Sequence, residues 1–130
     1  MTQKNKELLL KDLCARLPYR VKVGTTDNDG SLENVWDILW YNTFTEDIKI
    51  THSIEDVEKV LDISEVRPYL IPISSMTDEQ EAEYNDLNNC ELGWFPYTED
   101  AFDYLVANHF DYNGLIPMDL ANDATGLNIY

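Results

Sequence analysis

The chain is poor in cysteine and glycine, and after residue 67 it has no cation at all. Two cysteines in 130 residues are too few for a disulfide framework. Cys14 and Cys90 stand far apart and form no C-x-x-C, so the spacing of a zinc site is missing. Five scattered glycines cannot build a phosphate-cradling loop or a dinucleotide fingerprint, and the serine hydrolase motifs are missing too. No apolar run approaches the ~18 residues a membrane span needs. Met1–Lys6 leads only into the short run Leu8–Leu10, so the expectation is a chain without a secretory signal.

What is present is acid. Nine Lys and Arg face twenty-five Asp and Glu, for a net charge of −16 and a pI near 4.1. The last cation is Arg67. Residues 1–67 hold all nine cations and thirteen acids, whereas residues 68–130 hold twelve acids and neither Lys nor Arg. The carboxylates of that second half have no cation of their own to pair with, so most face water. Self-repulsion of this kind costs stability and opposes aggregation. It disfavours nucleic acid and anionic membrane surfaces, whose recognition needs Lys or Arg. Three readings remain: a solubilising surface, a surface for a basic protein (including carboxylates that imitate DNA phosphates), and divalent-cation binding.

The apolar spacing predicts a helix over 4–17, with Leu9, Leu10, Leu13, Cys14 and Leu17 on one stripe and Lys6, Lys11 and Asp12 pointing elsewhere. Pro18 ends it. Residues 19–23 alternate as a strand with Tyr19, Val21 and Val23 on one face. A turn at Asp29-Gly30 follows. Residues 32–41 fit either a strand with Trp36, Ile38 and Trp40 aligned, or a helix; β-branched and aromatic content favours the strand. Asp47–His52 is a third strand with Ile48, Ile50 and His52 on one side. Residues 53–61 suggest one or two helical turns. Residues 63–73, with Pro68 and Pro72, read as an edge strand or a strand followed by a meander. Thr77 and Gln80 form a capping box for a solvated helix to about Leu87. A last helix runs from Thr98 to about His109, and Asn113-Gly114 is a turn. A short helical turn near 118–121 and a loose end complete the chain. The expected architecture is a single α+β domain over 1–130: a small antiparallel sheet of three to four strands covered by about three helices.

Candidate chemistry is thin. Asp27-Asn28-Asp29-Gly30 resembles part of a calcium loop, but Trp36 stands where the bidentate acid belongs. Cys14 on the helix stripe reads as a buried structural thiol and Cys90 as a quiet loop thiol. His109 and Asp111 could pair for acid–base work, against the simpler reading of a histidine favoured by the negative end of a helix. Trp94-Phe95-Pro96-Tyr97 is an aromatic cluster between two acidic helices. It suits a recognition hot spot better than a sugar platform. No cofactor or metal is expected. The partner surface is expected at Glu79, Glu83, Asp100 and Asp103, with Trp94 and Tyr97.

Three stretches carry a resemblance. They are 11–19 (Lys-Asp-Leu-Cys-Ala-Arg-Leu-Pro-Tyr), 67–77 (Arg-Pro-Tyr-Leu-Ile-Pro-Ile-Ser-Ser-Met-Thr) and 107–116 (Ala-Asn-His-Phe-Asp-Tyr-Asn-Gly-Leu-Ile). Together they resemble a family of small uncharacterised proteins from phages and prophage-like elements of gut anaerobic bacteria. The stretch 36–61 has no counterpart in it. The resemblance implies a bacterial cytoplasmic setting and an accessory role, and it transfers no catalytic residue. The functional expectation is a non-enzymatic acidic protein-binding module with a basic host or phage partner. The alternatives are a small enzyme using a carboxylate and His109, or a purely structural protein.

Overall fold

A computed structural model describes residues 2–26, 35–42, 44–52, 57–87, 99–127 and 129–130. The fold is α+β. Helix α1 (Gln3–Arg16) precedes strands β1 (Lys22–Thr25), β2 (Trp36–Asn42), β3 (Asp47–His52), β4 (Val57–Asp62) and β5 (Val66–Leu70). Helices α2 (Asp78–Leu87) and α3 (Glu99–Ala107) follow, then the short β6 (Asn122–Asp123). The strands form one sheet in the order β4-β3-β2-β1-β5-β6. All neighbours are antiparallel except β5 and β6, which run parallel. The sheet is therefore mixed and six-stranded, larger than the three to four antiparallel strands expected.

The two extra strands come from segments whose local signals pointed elsewhere. Residues 57–62 are β4, not helical turns, because six consecutive residues pair with β3. That pairing satisfies backbone groups that a one-turn helix would leave open to water. The expected helical start at 53–56 and the expected turn at Asp29-Gly30 lie outside the described residues. β6 forms because the chain end is docked and not loose: the Ala124 N–H donates to the Leu70 carbonyl at 2.8 Å. Residues 115–119 make tight turns with Asp119 at φ 61°, and no helix forms at 118–121.

β5 lies between β1 and β6, so it is not an edge strand despite Pro68. Thr26 donates to the Glu65 carbonyl in the register that places Val23 opposite Pro68. Bonded and non-bonded pairs alternate along an antiparallel ladder. The Pro68 nitrogen therefore points away from β1, toward a side where β6 pairs only with Tyr69 and Leu70. The missing donor costs no ladder bond there.

One face of the sheet packs under α1. Leu9, Leu13, Val21, Val23, Trp36, Ile48, Ile50 and Val66 form the main core, joined by Leu115 and Leu120 from the late turns. Asp47–His52 alternates as expected, with Ile48, Ile50 and His52 inward. Segment 32–41 resolves as strand over its described part. A β-bulge between Ile38 and Trp40 breaks the alternation, so Ile38 and Tyr41 pack on the core and Trp40 is turned outward, 44% exposed. Tyr19 likewise leaves the expected strand. Leu17–Tyr19 is a 3-10 turn with Pro18 inside it, and Arg20 follows in the left-handed region at φ 56°.

Candidate functional site

Each sequence-predicted site residue that the structure describes lies on the α2–α3 side. The box closes as expected: the Gln80 N–H donates to Thr77 Oγ1 at 3.1 Å, and Thr77 N–H donates to Gln80 Oε1 at 3.0 Å. Three acids in the first turn favour the positive helix end. α2 has no buried residue and packs on α3, where Tyr104 is half-buried. Glu79, Glu83, Asp100 and Asp103 are all exposed. Burial raises the Tyr104 phenol pKa, and its hydrogen bond to the Glu83 carboxylate raises it further. That bond draws Glu83 toward α3. Asp100 lies one turn before Tyr104 on the same stripe. Glu83 and Asp100 thus flank one seam, with Glu79 a turn along α2 and Asp103 farther round α3. Trp94, Tyr97 and Cys90 lie outside the described residues.

Beside α2 is a cleft of about 310 Å³ lined by Ile73, Ser74, Met76, Glu81, Tyr84 and Asn85. Pro72 precedes the 3-10 turn at Ile73–Ser75, and this turn leaves Ile73 42% exposed. Sequence reasoning missed the cleft, because its apolar wall and its acidic rim come from two elements.

It also missed a buried polar cluster. Asp12 and Arg16, four residues apart on α1, are both fully buried, so Asp12 does not point to solvent. Arg16 Nε donates to Asp12 Oδ2 at 2.7 Å, and Arg16 Nη2 donates to the Phe110 carbonyl at 2.7 Å. The Asn113 amide donates to Asp12 Oδ1 at 2.9 Å, and the Arg16 guanidinium lies over the Tyr112 ring at 4.8 Å. The reason is that the loop after α3 covers this side of α1. The i, i+4 acid–base spacing was the available signal. Cys14, expected in the core, is only half-buried, with its thiol on the Tyr41 hydroxyl at 3.0 Å.

His109 and Asp111 do not form an acid–base pair. α3 ends in a Schellman arrangement: Phe110 N–H reaches the Leu105 carbonyl and His109 N–H reaches that of Val106. His109 is therefore left-handed at φ 63°. Its ring stacks on Tyr130 at 3.5 Å, and its Nδ1 has no hydrogen-bond partner among the described residues. Burial first, then the Arg16 and Lys22 charges, push its pKa down to about 4, so it is neutral at pH 7. Asp111 instead accepts from the Leu115 and Ile116 N–H groups at 2.8 and 2.9 Å.

Among the described residues, no group of three or more His, Cys, Asp or Glu could hold a metal ion. Among them, too, no helix is long and apolar enough to cross a membrane. Comparison with known proteins finds no family model, no curated protein and no solved structure that matches the chain.

Proposed function

We propose that the chain is a non-enzymatic protein-binding module whose α2–α3 side takes a basic segment of a host or phage protein. The observation that carries this reading is the cleft at Ile73, Met76 and Tyr84 beside Glu81. A recognition surface needs an apolar anchor point more than it needs charge, because exposed ion pairs are worth little singly. Here an apolar recess adjoins a helix whose acids have no cation among the described residues of α2 and α3. The carboxylates at Glu79, Glu83, Asp100 and Asp103 steer the partner, the recess seats one of its apolar side chains, and Trp94 and Tyr97 add aromatic contact. Steering of this kind acts mainly on the association rate. The resemblance to phage and prophage proteins supports an accessory role in a bacterial cytoplasm.

The test is an NMR titration with a short peptide alternating Lys and Leu, beside a Lys-Gly peptide of equal charge. The Lys-Leu peptide is expected to shift amides around Ile73, Met76 and Tyr84 at concentrations where the Lys-Gly peptide shifts none of them. Replacing Glu79, Glu83, Asp100 and Asp103 together with Gln or Asn should slow capture and flatten its salt dependence. Equal, diffuse shifts from both peptides would make the acidic side a solubility device.

A further inference from the structure

Among the described residues, four non-glycine residues occupy the left-handed backbone region: Arg20, Glu46, His109 and Asp119. Side chains with a Cβ avoid it, so each such residue needs a reason. Three have one inside the chain. Glu46 meets Lys6 and Gln3, His109 stacks on Tyr130, and Asp119 pairs with Arg67. Arg20 is different. Its backbone N–H caps the Leu17 carbonyl, which any residue could do. Its side chain has no ion pair or hydrogen bond among the described residues, and it lines a cleft of about 380 Å³.

That cleft collects a second irregularity. Its walls are Leu17, Val21, Ile38 and Leu39, and its polar groups are Arg20, Lys22, Asp37 and Thr51. Leu39 is there because the β2 bulge falls between Ile38 and Trp40. Bulges commonly serve to re-aim a side chain beside a working site. Lys22 is ion-paired to Asp37, so Arg20 carries the uncompensated charge, and the lining has a net charge of +1 in a chain of −16. The size lies in the range of small-ligand sites. The mix of aliphatic walls with one convergent cation is the lining such sites use.

We propose that this cleft binds a small organic monocarboxylate with an apolar body, its carboxylate gripped by the Arg20 guanidinium and its body held between Leu39 and Leu17. A guanidinium matches a carboxylate through two parallel hydrogen bonds. A single net charge in the lining favours a monoanion over a dianionic phosphate. The site lies on the sheet side, so it is independent of the α2–α3 reading.

The probes are 3-phenylpropanoate, hexanoate, their matched alcohols, and phenyl phosphate, each titrated by NMR against the full chain. The acids are expected to shift amides of Val21, Lys22, Ile38, Leu39 and Thr51 saturably below about 10 mM. The alcohols and phenyl phosphate should bind at least about tenfold more weakly. The decisive variant is Arg20→Gly. Glycine suits the local backbone, so its melting temperature should equal or exceed that of the native chain, while acid binding falls about tenfold or more. Four results would each overturn the proposal: no saturable shift with either acid, equal binding of the alcohols, tighter binding of phenyl phosphate, or unchanged binding to Arg20→Gly. A lowered melting temperature in Arg20→Gly would also do so, by making the side chain structural.

Discussion

On the sheet side, cations and acids meet. Lys6 reaches Glu46 and Asp62, Arg16 meets Asp12, Lys22 meets Asp37, Lys49 meets Glu58, and Arg67 meets Asp119. On the α2–α3 side, eight acids (Asp78, Glu79, Glu81, Glu83, Asp86, Glu99, Asp100 and Asp103) are all exposed, and neither helix carries a cation. α1 and α2 differ in burial as well. α1 buries Leu9, Asp12, Leu13 and Arg16 against the sheet and the late loop, whereas α2 buries nothing. A helix needs either a buried face or local capping to persist. α1 has the first and α2 depends on the second. One side is thus held by packing and paired charge. On the other, α2 is held by a cap and a seam, α3 beside it is anchored by buried Ala101, Leu105 and Val106, and the outer faces of both keep their charge available.

The comparison breaks most sharply at Asp12. Asp12→Ala leaves the Arg16 guanidinium buried with only the Phe110 carbonyl and the Tyr112 face beside it. Removing one partner of a buried pair costs about 3–5 kcal/mol. Urea denaturation should show a loss of that size, with β1, β2 and α1 unfolding together. A loss under about 1 kcal/mol would mean that the pair is hydrated in solution.

A middle-sized effect is expected from pH. His109 has a folded pKa of about 4, below the ordinary ~6.5 of an unfolded histidine. The unfolded chain therefore takes the proton first as pH falls. The histidine's contribution to stability is full above about pH 6.5 and is lost as pH drops from there toward 4, by about 1–2 kcal/mol after allowing for solvent access. Histidine Nδ1 without a partner among the described residues and the Tyr130 stack both favour the neutral ring. His109→Asn keeps a residue tolerant of φ 63° and should flatten the melting-temperature slope between pH 6.5 and 4.5. An unchanged slope would assign it to carboxylates alone.

The smallest effect sharpens the contrast. Thr77→Ala removes the α2 cap and costs that helix about 1 kcal/mol. Because α2 buries no residue, hydrogen exchange of its amides should quicken about fivefold while the global melting temperature moves by no more than about 1 °C. A matching global drop would show that α2 folds as one unit with the sheet.

Much of this was legible beforehand where one element carried the whole signal. The capping box at Thr77 and Gln80 and the β3 alternation are local patterns that form as read, and the α1 stripe forms in part: Leu9 and Leu13 are buried, whereas Leu10, Cys14 and Leu17 are only half-buried. The acidic site residues are exposed as their charge demands. Misreadings cluster where a partner element decides. β4 is a strand because β3 offers six pairing residues. Trp40 faces out because one inserted residue in β2 reverses the alternation. Asp12 is buried because a loop about a hundred residues away covers it.

The amino-acid sequence alone determined the α+β class, the charge division at Arg67 and the capped, solvated character of α2. These follow from composition and short-range chemistry, which act over one or two helical turns. Only the tertiary structure decided the strand count, the central place of β5, the Asp12–Arg16–Asn113 cluster and the two clefts. Each depends on groups far apart in the chain meeting at hydrogen-bond or van der Waals distance. A pairing of that kind is settled by what the rest of the fold leaves unsatisfied, and no local window of residues contains it.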